Sequence, residues 1–212
     1  MKKNNPIRQK LVRLIRPLSS LIFFLTTFDY KISIRIKPKI NGVHYPYIST
    51  SAVKWLMSLN LKDKKILEFG SGYSSIFFCE RGAKVYAVER DNEWKERINC
   101  HLSNLDKNIT FVDGNKLDEV GKIIFDIIFI DDNIREQRLS YAIKNLKEEG
   151  IIIFDNSERY PELMNETNKQ GFLIFNFWGN CADTHKQICT SVMLKNKNFK
   201  QTFLEFDKFI YK

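Results

Sequence analysis

From residue 65 onward, short apolar runs of strand type alternate with longer amphipathic stretches of helix type. Alternation of this kind predicts parallel strands whose connecting helices cover both faces of a sheet. The fourth and fifth runs are continuously apolar, as strands covered on both sides are, so we expect them in the middle of that sheet. The predicted strands are Lys65–Phe69, Lys84–Val88, Ile109–Val112, Asp126–Ile130 and Ile151–Phe154, and the predicted helices span about residues 74–81, 92–104, 134–147 and 158–168.

Two further strand candidates, Phe172–Phe177 and Thr190–Leu194, follow the last predicted helix and are joined by a polar loop. Because no helix separates them, they are predicted to form an antiparallel hairpin that closes one edge of the sheet. The sequence therefore predicts a doubly wound α/β fold with a mostly parallel seven-stranded sheet. We assign residues 41–212 to this one domain, because they contain no repeat, low-complexity tract or long linker.

The net charge of +9 is concentrated in an N-terminal arm, residues 1–40. This arm holds ten Lys and Arg residues and one acid, so the rest of the chain holds 24 basic and 24 acidic residues. Because residues 41–212 carry no net charge, a basic face for nucleic acid is not expected on them, and no nucleic-acid partner is expected.

The four cysteines form no Cys-x-x-Cys pair, and a chain of this length needs no disulfide framework to bury a core.

The arm has the pattern of an amphipathic helix interrupted near Pro17, which predicts an N-terminal helical extension to the fold. Its apolar stretch, Pro17–Phe28, is too short to span a bilayer, which takes roughly 20 residues, and no small-residue cleavage site follows it. A cytoplasmic location is therefore expected. Two uses of the arm are open: packing on the domain or on a partner in a homodimer, or peripheral attachment to the anionic inner membrane surface.

The turn after the first predicted strand reads Glu68-Phe69-Gly70-Ser71-Gly72. Its two glycines allow the backbone to approach a ligand closely at the start of a helix. The acid at its beginning would repel a phosphate but favour a cationic ammonium or sulfonium group. The second strand is followed by Glu89, about 20 residues on, where a carboxylate suits the hydroxyl groups of a ribose.

These residues resemble the class I S-adenosylmethionine-dependent methyltransferases, and the resemblance covers about residues 45–195. It implies the Rossmann-like fold of that family with its antiparallel last strand, S-adenosylmethionine as the cofactor, and methyl transfer as the reaction. Asp113 and Gly114 follow the third predicted strand, and a plain turn without a ligand is the alternative to a binding role for them. The cofactor-binding residues that the resemblance implies are Glu68, Gly70, Ser71 and Gly72 at the methionine moiety, Glu89 at the ribose, Asp113 at the adenine, and Asp131.

Acids that follow the fourth and fifth strands are the candidates for chemistry on the acceptor. Asp131 is the first choice for positioning or deprotonating an acceptor oxygen, and Asp155 with Asn156 is the second. The three residues are also similar to the metal triad of catechol-type O-methyltransferases, which implies a Mg²⁺ ion at the acceptor hydroxyl. The chain departs from that pattern, because Ile134 stands where those enzymes have a lysine, with Arg135 next to it. Acids that act without a metal, or that only cap helices, are the alternative.

The sequence limits the chemical class of the methyl acceptor mainly by excluding some classes. An amino-methylating DNA enzyme of this family would carry an Asn/Asp-Pro-Pro-aromatic tetrad after the fourth strand, and the chain reads Asp131-Asp132-Asn133-Ile134 there. A small-molecule or glycan hydroxyl is the better prediction, since transfer to oxygen needs mainly alignment and a nearby base or cation. Residues 44–50 and 178–186 are candidates to shape the acceptor pocket, and they include His44 and His185.

Two other functions stay open from the sequence. The chain could be a non-catalytic binding module that docks through its basic arm to a membrane surface or a protein partner, and it would then bind the nucleotide weakly or not at all. It could also be a nicotinamide-dependent oxidoreductase, which shares the early sheet but requires a third glycine where this chain has Ser75.

Overall fold

The structure is a computed structural model, and it describes residues 39–40, 43–102, 108–114, 117, 123–181 and 186–196. Helices and strands alternate along most of this part of the chain. In chain order the elements are β1 (Lys39–Ile40), β2 (Val43–His44), α1 (Thr50–Met57), β3 (Lys65–Phe69), α2 (Tyr73–Glu80), β4 (Lys84–Val88), α3 (Asn92–Leu102), β5 (Ile109–Val112), β6 (Phe125–Ile130), α4 (Arg135–Asn145), β7 (Leu146–Asp155), a 3₁₀ turn (Ser157–Arg159), α5 (Pro161–Lys169), β8 (Phe172–Asn180) and β9 (Gln187–Lys195).

Seven strands form one mixed sheet in the order β5-β4-β3-β6-β7-β9-β8. The strands from β3 to β7 are parallel, and β9 pairs antiparallel with both β7 and β8. From β3 the chain first builds one side of the sheet, through β4 to β5, and then crosses to β6 to build the other. The structure thus confirms the doubly wound sheet with an antiparallel last strand, and its switch point lies at the carboxyl ends of β3 and β6.

Apolar side chains cover both faces of this sheet. One face packs against α1, α2 and α3 through residues such as Ile66 and Phe129, and the other packs against α4 and α5 through residues such as Leu67 and Ile128. Neighbouring positions of β3 and β6 therefore point into opposite layers, and residues 66–69 of β3 and 127–130 of β6 are all buried. The continuous apolar runs are explained by this double covering, and β6 and β7 do lie in the middle of the sheet.

The predicted strands and helices agree with the observed ones to within three residues, except at the start of β7, and helix α1 was not predicted. β7 begins at Leu146 rather than Ile151, so residues 146–147, predicted as the end of a helix, belong to this strand. β8 extends to Asn180 and β9 begins at Gln187. The unpredicted start of β7 contains residues 147–149, which are charged and exposed. These residues show neither an apolar run nor an alternating pattern, so nothing in the sequence indicates a strand there.

Residues 1–38 lie outside the described residues, and with them lie the predictions for most of the N-terminal arm. The helical extension, the homodimer, the membrane attachment and the boundary near residue 41 therefore stay predictions. Among the residues that the structure describes, no helix is both long enough and apolar enough to cross a bilayer.

Candidate functional site

The turn between β3 and α2 brings three strand ends to one place. Gly70 has a φ of 88°, and its amide donates to the Val88 carbonyl at the end of β4 at 3.0 Å. The Asp131 amide, just past β6, donates to the Phe69 carbonyl at 2.9 Å. A Cβ at position 70 would lie 2.5 Å from the carbonyl oxygen of Asp131. Glycine is required here for this close approach as well as for its positive φ.

Glu68, two residues before this glycine, has a completely buried side chain. Ser75 Oγ of α2 donates to Glu68 Oε2 at 2.5 Å and accepts from the Gly72 amide at 3.1 Å. Among the described residues, Glu68 Oε1 has no hydrogen-bond partner. Burial raises the pKa of Glu68 to about 8, although the nearby Ser74 and Ser75 hydroxyl groups oppose the shift. A buried oxygen without a donor is a position that a cationic or donor group of a ligand would satisfy.

Glu89, which follows β4, is held in place by four hydrogen bonds. Its Oε2 accepts from the amide and the hydroxyl of Ser71, both at 3.2 Å. Its Oε1 accepts from the amides of Arg90 and Asp91 at 2.7 and 2.9 Å. The Trp94 ring nitrogen of α3 donates to the Ser71 carbonyl at 2.6 Å and ties the glycine turn to the same region. The carboxylate is therefore preorganised, and it remains partly exposed.

Two clefts meet at Glu89 along the carboxyl ends of the parallel strands. One has a volume of about 320 Å³ and is lined by residues that include Gly70, Asp131 and Arg138. The other has a volume of about 640 Å³, and its lining includes Phe111 and Asp113 at the end of β5. Both volumes lie in the range of small-molecule sites. Together the clefts form one groove across the ends of β5, β4, β3 and β6, with acids at several of those ends.

The Arg135 side chain joins the residues that follow β6 and β7. One terminal nitrogen (Nη2) donates to Asp131 Oδ1 at 2.6 Å and to Asn156 Oδ1 at 3.1 Å. The other terminal nitrogen (Nη1) donates to the Asp132 carbonyl, and Nε donates to the Asp155 carbonyl at 3.0 Å. The side chain is 8% exposed. Sequence reasoning assigned no role to Arg135. The one available signal was its position four residues after Asp131, a spacing that favours ion pairs on a helix.

The structure does not fit the Mg²⁺ ion that the catechol-type triad implied. The guanidinium of Arg135 already binds the side-chain oxygens of Asp131 and Asn156 that would be its ligands. The third member of the triad, Asp155, is engaged as well, because Asp155 Oδ1 accepts from Thr190 Oγ1 at 2.7 Å. Among the described residues, no three His, Cys, Asp or Glu side chains are grouped as metal ligands.

Asp131 and Asp155 differ in their surroundings, although both follow central strands. Asp155 is 2% exposed, and burial together with repulsion from Asp131 raises its pKa. The shift favours the neutral form of the Asp155 carboxyl group. The Asp131 side chain is 31% exposed and lines the cleft beside Gly70. Partial burial raises the pKa of Asp131 as well, but Arg135 opposes that shift. Asp131 is the carboxylate that a ligand can reach.

The two segments predicted to shape the acceptor pocket do meet, near Asp155. Ser49 pairs with Cys181 in an isolated antiparallel bridge, and Ser51 Oγ donates to the Trp178 carbonyl at 2.7 Å. The Ser49 amide also donates to Thr190 Oγ1 at 3.1 Å, which links this contact to Asp155. Trp178 is 57% exposed, as a residue at the rim of a pocket would be.

Of the two histidines in these segments, only His44 lies among the described residues. His44 is buried with its Nδ1 2.8 Å from Glu80 Oε1 on α2, so it does not belong to the groove. His185 lies outside the described residues.

Comparison with known proteins identifies the architecture. No family model matches the chain. A stretch of 60 residues, 26% of the chain, is 42% identical to a protein-L-isoaspartate O-methyltransferase of Christiangramia forsetii, and it spans 28% of that protein.

Similar solved structures include the O-methyltransferase TomG of Streptomyces achromogenes in complex with SAM, with 15% identity, a TM-score of 0.55, and coverage of 90% of this chain and 96% of TomG. Cofactor-bound Rv0187 from MTB has 17% identity and a TM-score of 0.56 over 92% of this chain and 99% of its own. The chain has the class I methyltransferase fold. Precorrin-6y C5,15-methyltransferase of Geobacter metallireducens, at 16% identity and a TM-score of 0.56, covers 75% of this chain and 94% of its own.

Within this methyltransferase fold, the structure brings together most of the residues that the sequence singled out. Gly70, Glu89 and Asp131 line one cleft, and Glu89 with Asp113 lines the adjoining one. The remaining three, Glu68, Ser71 and Gly72, belong to the same glycine turn and are joined to it or to Glu89 by the hydrogen bonds above. The roles of these residues toward a ligand are proposals, and they follow.

Proposed function

We propose that this protein is an S-adenosylmethionine-dependent methyltransferase that transfers the methyl group to an oxygen of a small molecule or glycan. The observation that carries the proposal is the groove at the switch point, which is lined by Glu89, Asp113 and Asp131 after three of its strands, with the buried Glu68 near the end of a fourth, two residues before Gly70 of the lining. A ligand with one cationic group and two ribose hydroxyls, bound along this groove, would have a carboxyl group of the protein near each of these groups.

The chain fits the cofactor at both of its polar ends. Glu68 Oε1 is buried and unpartnered among the described residues, and a positively charged group near it would favour the ionised carboxylate. Glu89 is preorganised to accept hydrogen bonds from the ribose, and Asp113 is assigned to the adenine end of the groove. The Gly70–Gly72 turn leaves the backbone accessible to the methionine moiety, as the family resemblance implies.

The cofactor, when bound, supplies a methyl group on a sulfonium sulfur, which is ready for in-line displacement. The contribution of the chain is to align the acceptor and to take its proton. Asp131 is assigned to this step, because its carboxylate borders the cleft while Arg135 holds its Oδ1. As the acceptor oxygen gains the methyl group, its proton passes to Asp131. An oxygen acceptor agrees with the names of two similar proteins, which are O-methyltransferases.

Calorimetric titration with S-adenosylmethionine and S-adenosylhomocysteine tests the cofactor assignment. We expect micromolar binding that is the same with magnesium and with a chelator. Glu89→Gln should weaken it by about ten- to a hundred-fold, the range for hydrogen bonds to a charged group. Glu93→Gln is the matched control, since Glu93 is an exposed acid at the start of α3 and lines neither cleft.

The outcome separates the three functions that the sequence leaves open. Absence of binding to both nucleotides would favour a non-catalytic module, and binding of NADH instead would favour the oxidoreductase. Equal affinity in Glu89→Gln and the wild type would remove the ribose assignment. The acceptor atom is tested with ¹³C-methyl-labelled cofactor and a panel of hydroxylated small molecules and glycans, because O-methyl and C-methyl carbons resonate in separate regions of the NMR spectrum.

A further inference from the structure

The cluster formed by Asp131, Arg135 and Asn156 contains its own cation. We propose that the Arg135 guanidinium takes the place of a divalent metal at the acceptor end of the groove and positions Asp131 for a metal-independent reaction. The second half of this inference rests on the proposed function, since only a methyltransferase has an acceptor end. The first half, that Arg135 keeps a metal out, concerns the folded chain alone.

The contacts of Arg135 support this assignment because they are those of a bound cation. Its guanidinium meets two side-chain oxygens, from Asp131 and Asn156, and two backbone oxygens, from Asp132 and Asp155. Oxygen atoms with this mixture of carboxylate, amide and carbonyl character are the ligands that a hard divalent ion prefers. A metal and this guanidinium therefore compete for the same oxygens, and the guanidinium is covalently attached to the chain.

The guanidinium is nearly saturated by the described residues, which makes it a positioning group rather than a substrate-binding one. Four of its five N–H groups are accounted for by the contacts listed above. The side chain is 8% exposed, whereas the side chain of Asp131 is 31% exposed and borders the cleft. Arg135 thus acts on the acceptor through Asp131: it holds Oδ1 and leaves Oδ2 without a partner among the described residues.

Arginine suits this role because its charge does not depend on pH or on metal supply. It holds the planar carboxylate of Asp131 in one orientation at 2.6 Å, a length typical of a charge-assisted hydrogen bond. The neighbouring Arg138 shows what an ordinary buried arginine does on the same helix. It pairs with Asp132 at 2.8 Å, stacks on Phe69 and touches neither Asn156 nor the Asp155 carbonyl in any described contact.

Binding of Mn²⁺, followed by electron paramagnetic resonance without cofactor or acceptor, tests the first half. The wild type and Lys144→Ala, which removes an exposed cation from the same helix, should leave Mn²⁺ free at millimolar concentration. Arg135→Ala should bind Mn²⁺ stoichiometrically, and adding Asn156→Ala to that variant should abolish the binding. Wild-type binding that Asp131→Asn removes would overturn the proposal. Equal Mn²⁺ binding by Arg135→Ala and the wild type would overturn it too, because the guanidinium would then not be what excludes the ion.

Arginine side-chain NMR on the wild type decides the matter even if Arg135→Ala fails to fold. We expect slowly exchanging guanidinium N–H signals that millimolar Mg²⁺ leaves unchanged, and displacement of those signals by Mg²⁺ would refute the proposal.

The second half of the proposal, the positioning of Asp131, is tested with Arg135→Lys, which keeps the charge but loses the planar set of donors. It should lower kcat with little change in KM for the cofactor, and unchanged kcat would remove the positioning role. None of the metal experiments requires turnover, so their result stands whether or not the proposed function fails.

Discussion

Glu68 offers the sharpest prediction, because the structure buries a carboxyl group completely and gives one of its oxygens no described donor. Its pKa is raised from 4.5 to about 8 in the folded chain, chiefly by burial. Between these values the unfolded chain has lost this proton while the folded chain keeps it. A rise in pH therefore favours unfolding by slightly more than 1 kcal/mol for each pH unit, and stability is lost as the pH climbs toward the folded pKa.

Glu68→Gln isolates this contribution. Glutamine has nearly the shape of the protonated acid and does not ionise, while the other buried acids, Asp131 and Asp155, are present in both proteins. The free energy of unfolding of the wild type, relative to the variant, should fall by roughly 3 kcal/mol across two pH units between about pH 5.5 and pH 7.5. Urea unfolding at a series of pH values, followed by tryptophan fluorescence, measures the difference. Parallel pH profiles for the two proteins would refute the reasoning.

The same carboxyl group links cofactor binding to proton release. A cationic group bound near Glu68 Oε1 would favour the ionised form, so binding to the wild type below about pH 8 should release a proton. Titration calorimetry in buffers of different ionisation enthalpy detects that release as a change in the apparent binding enthalpy. The Glu68→Gln variant should show no such buffer dependence from this position. Equal buffer dependence in both proteins would mean that the cation binds elsewhere.

Three further predictions concern other parts of the site. Asp131→Asn should lower turnover by about a hundredfold or more, the typical contribution of a general base, while the variant still folds, as circular dichroism would show; retained turnover would remove Asp131 from the mechanism. Gly70→Ala should destabilise the fold by at least about 1–3 kcal/mol in urea unfolding, because of the positive φ and the 2.5 Å approach to Asp131 O, and a neutral result would contradict the described turn. Thr190→Val should cost about 1–3 kcal/mol, since it removes the hydroxyl donor of buried Asp155, whereas Thr110→Val at an exposed strand position should cost less; equal costs would contradict the role of this hydrogen bond.

Much of the fold could be predicted because two features of the sequence, an apolar run and the acids that follow it, mark each central strand. Residues 127–130 and 151–154 are apolar at every position, and each run is followed at once by acids, which marks the strand end as well as the strand. The start of β7 could not be predicted, because its residues 147–149 are charged and exposed, and Lys147 and Glu148 form ion pairs at the surface instead of packing in the core. Local composition reports burial, and a strand segment that is not buried leaves no such signal.

The site was predictable in position but not in its internal pairing. Acids at strand ends converge in any parallel sheet, so Glu89 and Asp131 could be placed in one groove from topology alone. The serine that donates to Glu68 could not be identified, since Ser74 and Ser75 are adjacent and the sequence does not show which one is closer. Arg135 poses the same difficulty, because an acid and an arginine four residues apart usually form an exposed pair that contributes little.

Arg135 and Asp131 are four residues apart, but Arg135 is buried, so their ion pair is not an ordinary surface pair. This burial limits the chemistry that the site can perform. A metal ion with an open coordination position can bind an acceptor directly, and it thereby orients the acceptor as well as acidifying it. A guanidinium with four donors already bound cannot do so. Orientation must then come from the walls of the pocket, and the contact between residues 49–51 and 178–181 is linked to Asp155 through Thr190. Specificity for the acceptor should therefore respond to substitutions in those segments more than to the supply of any divalent ion.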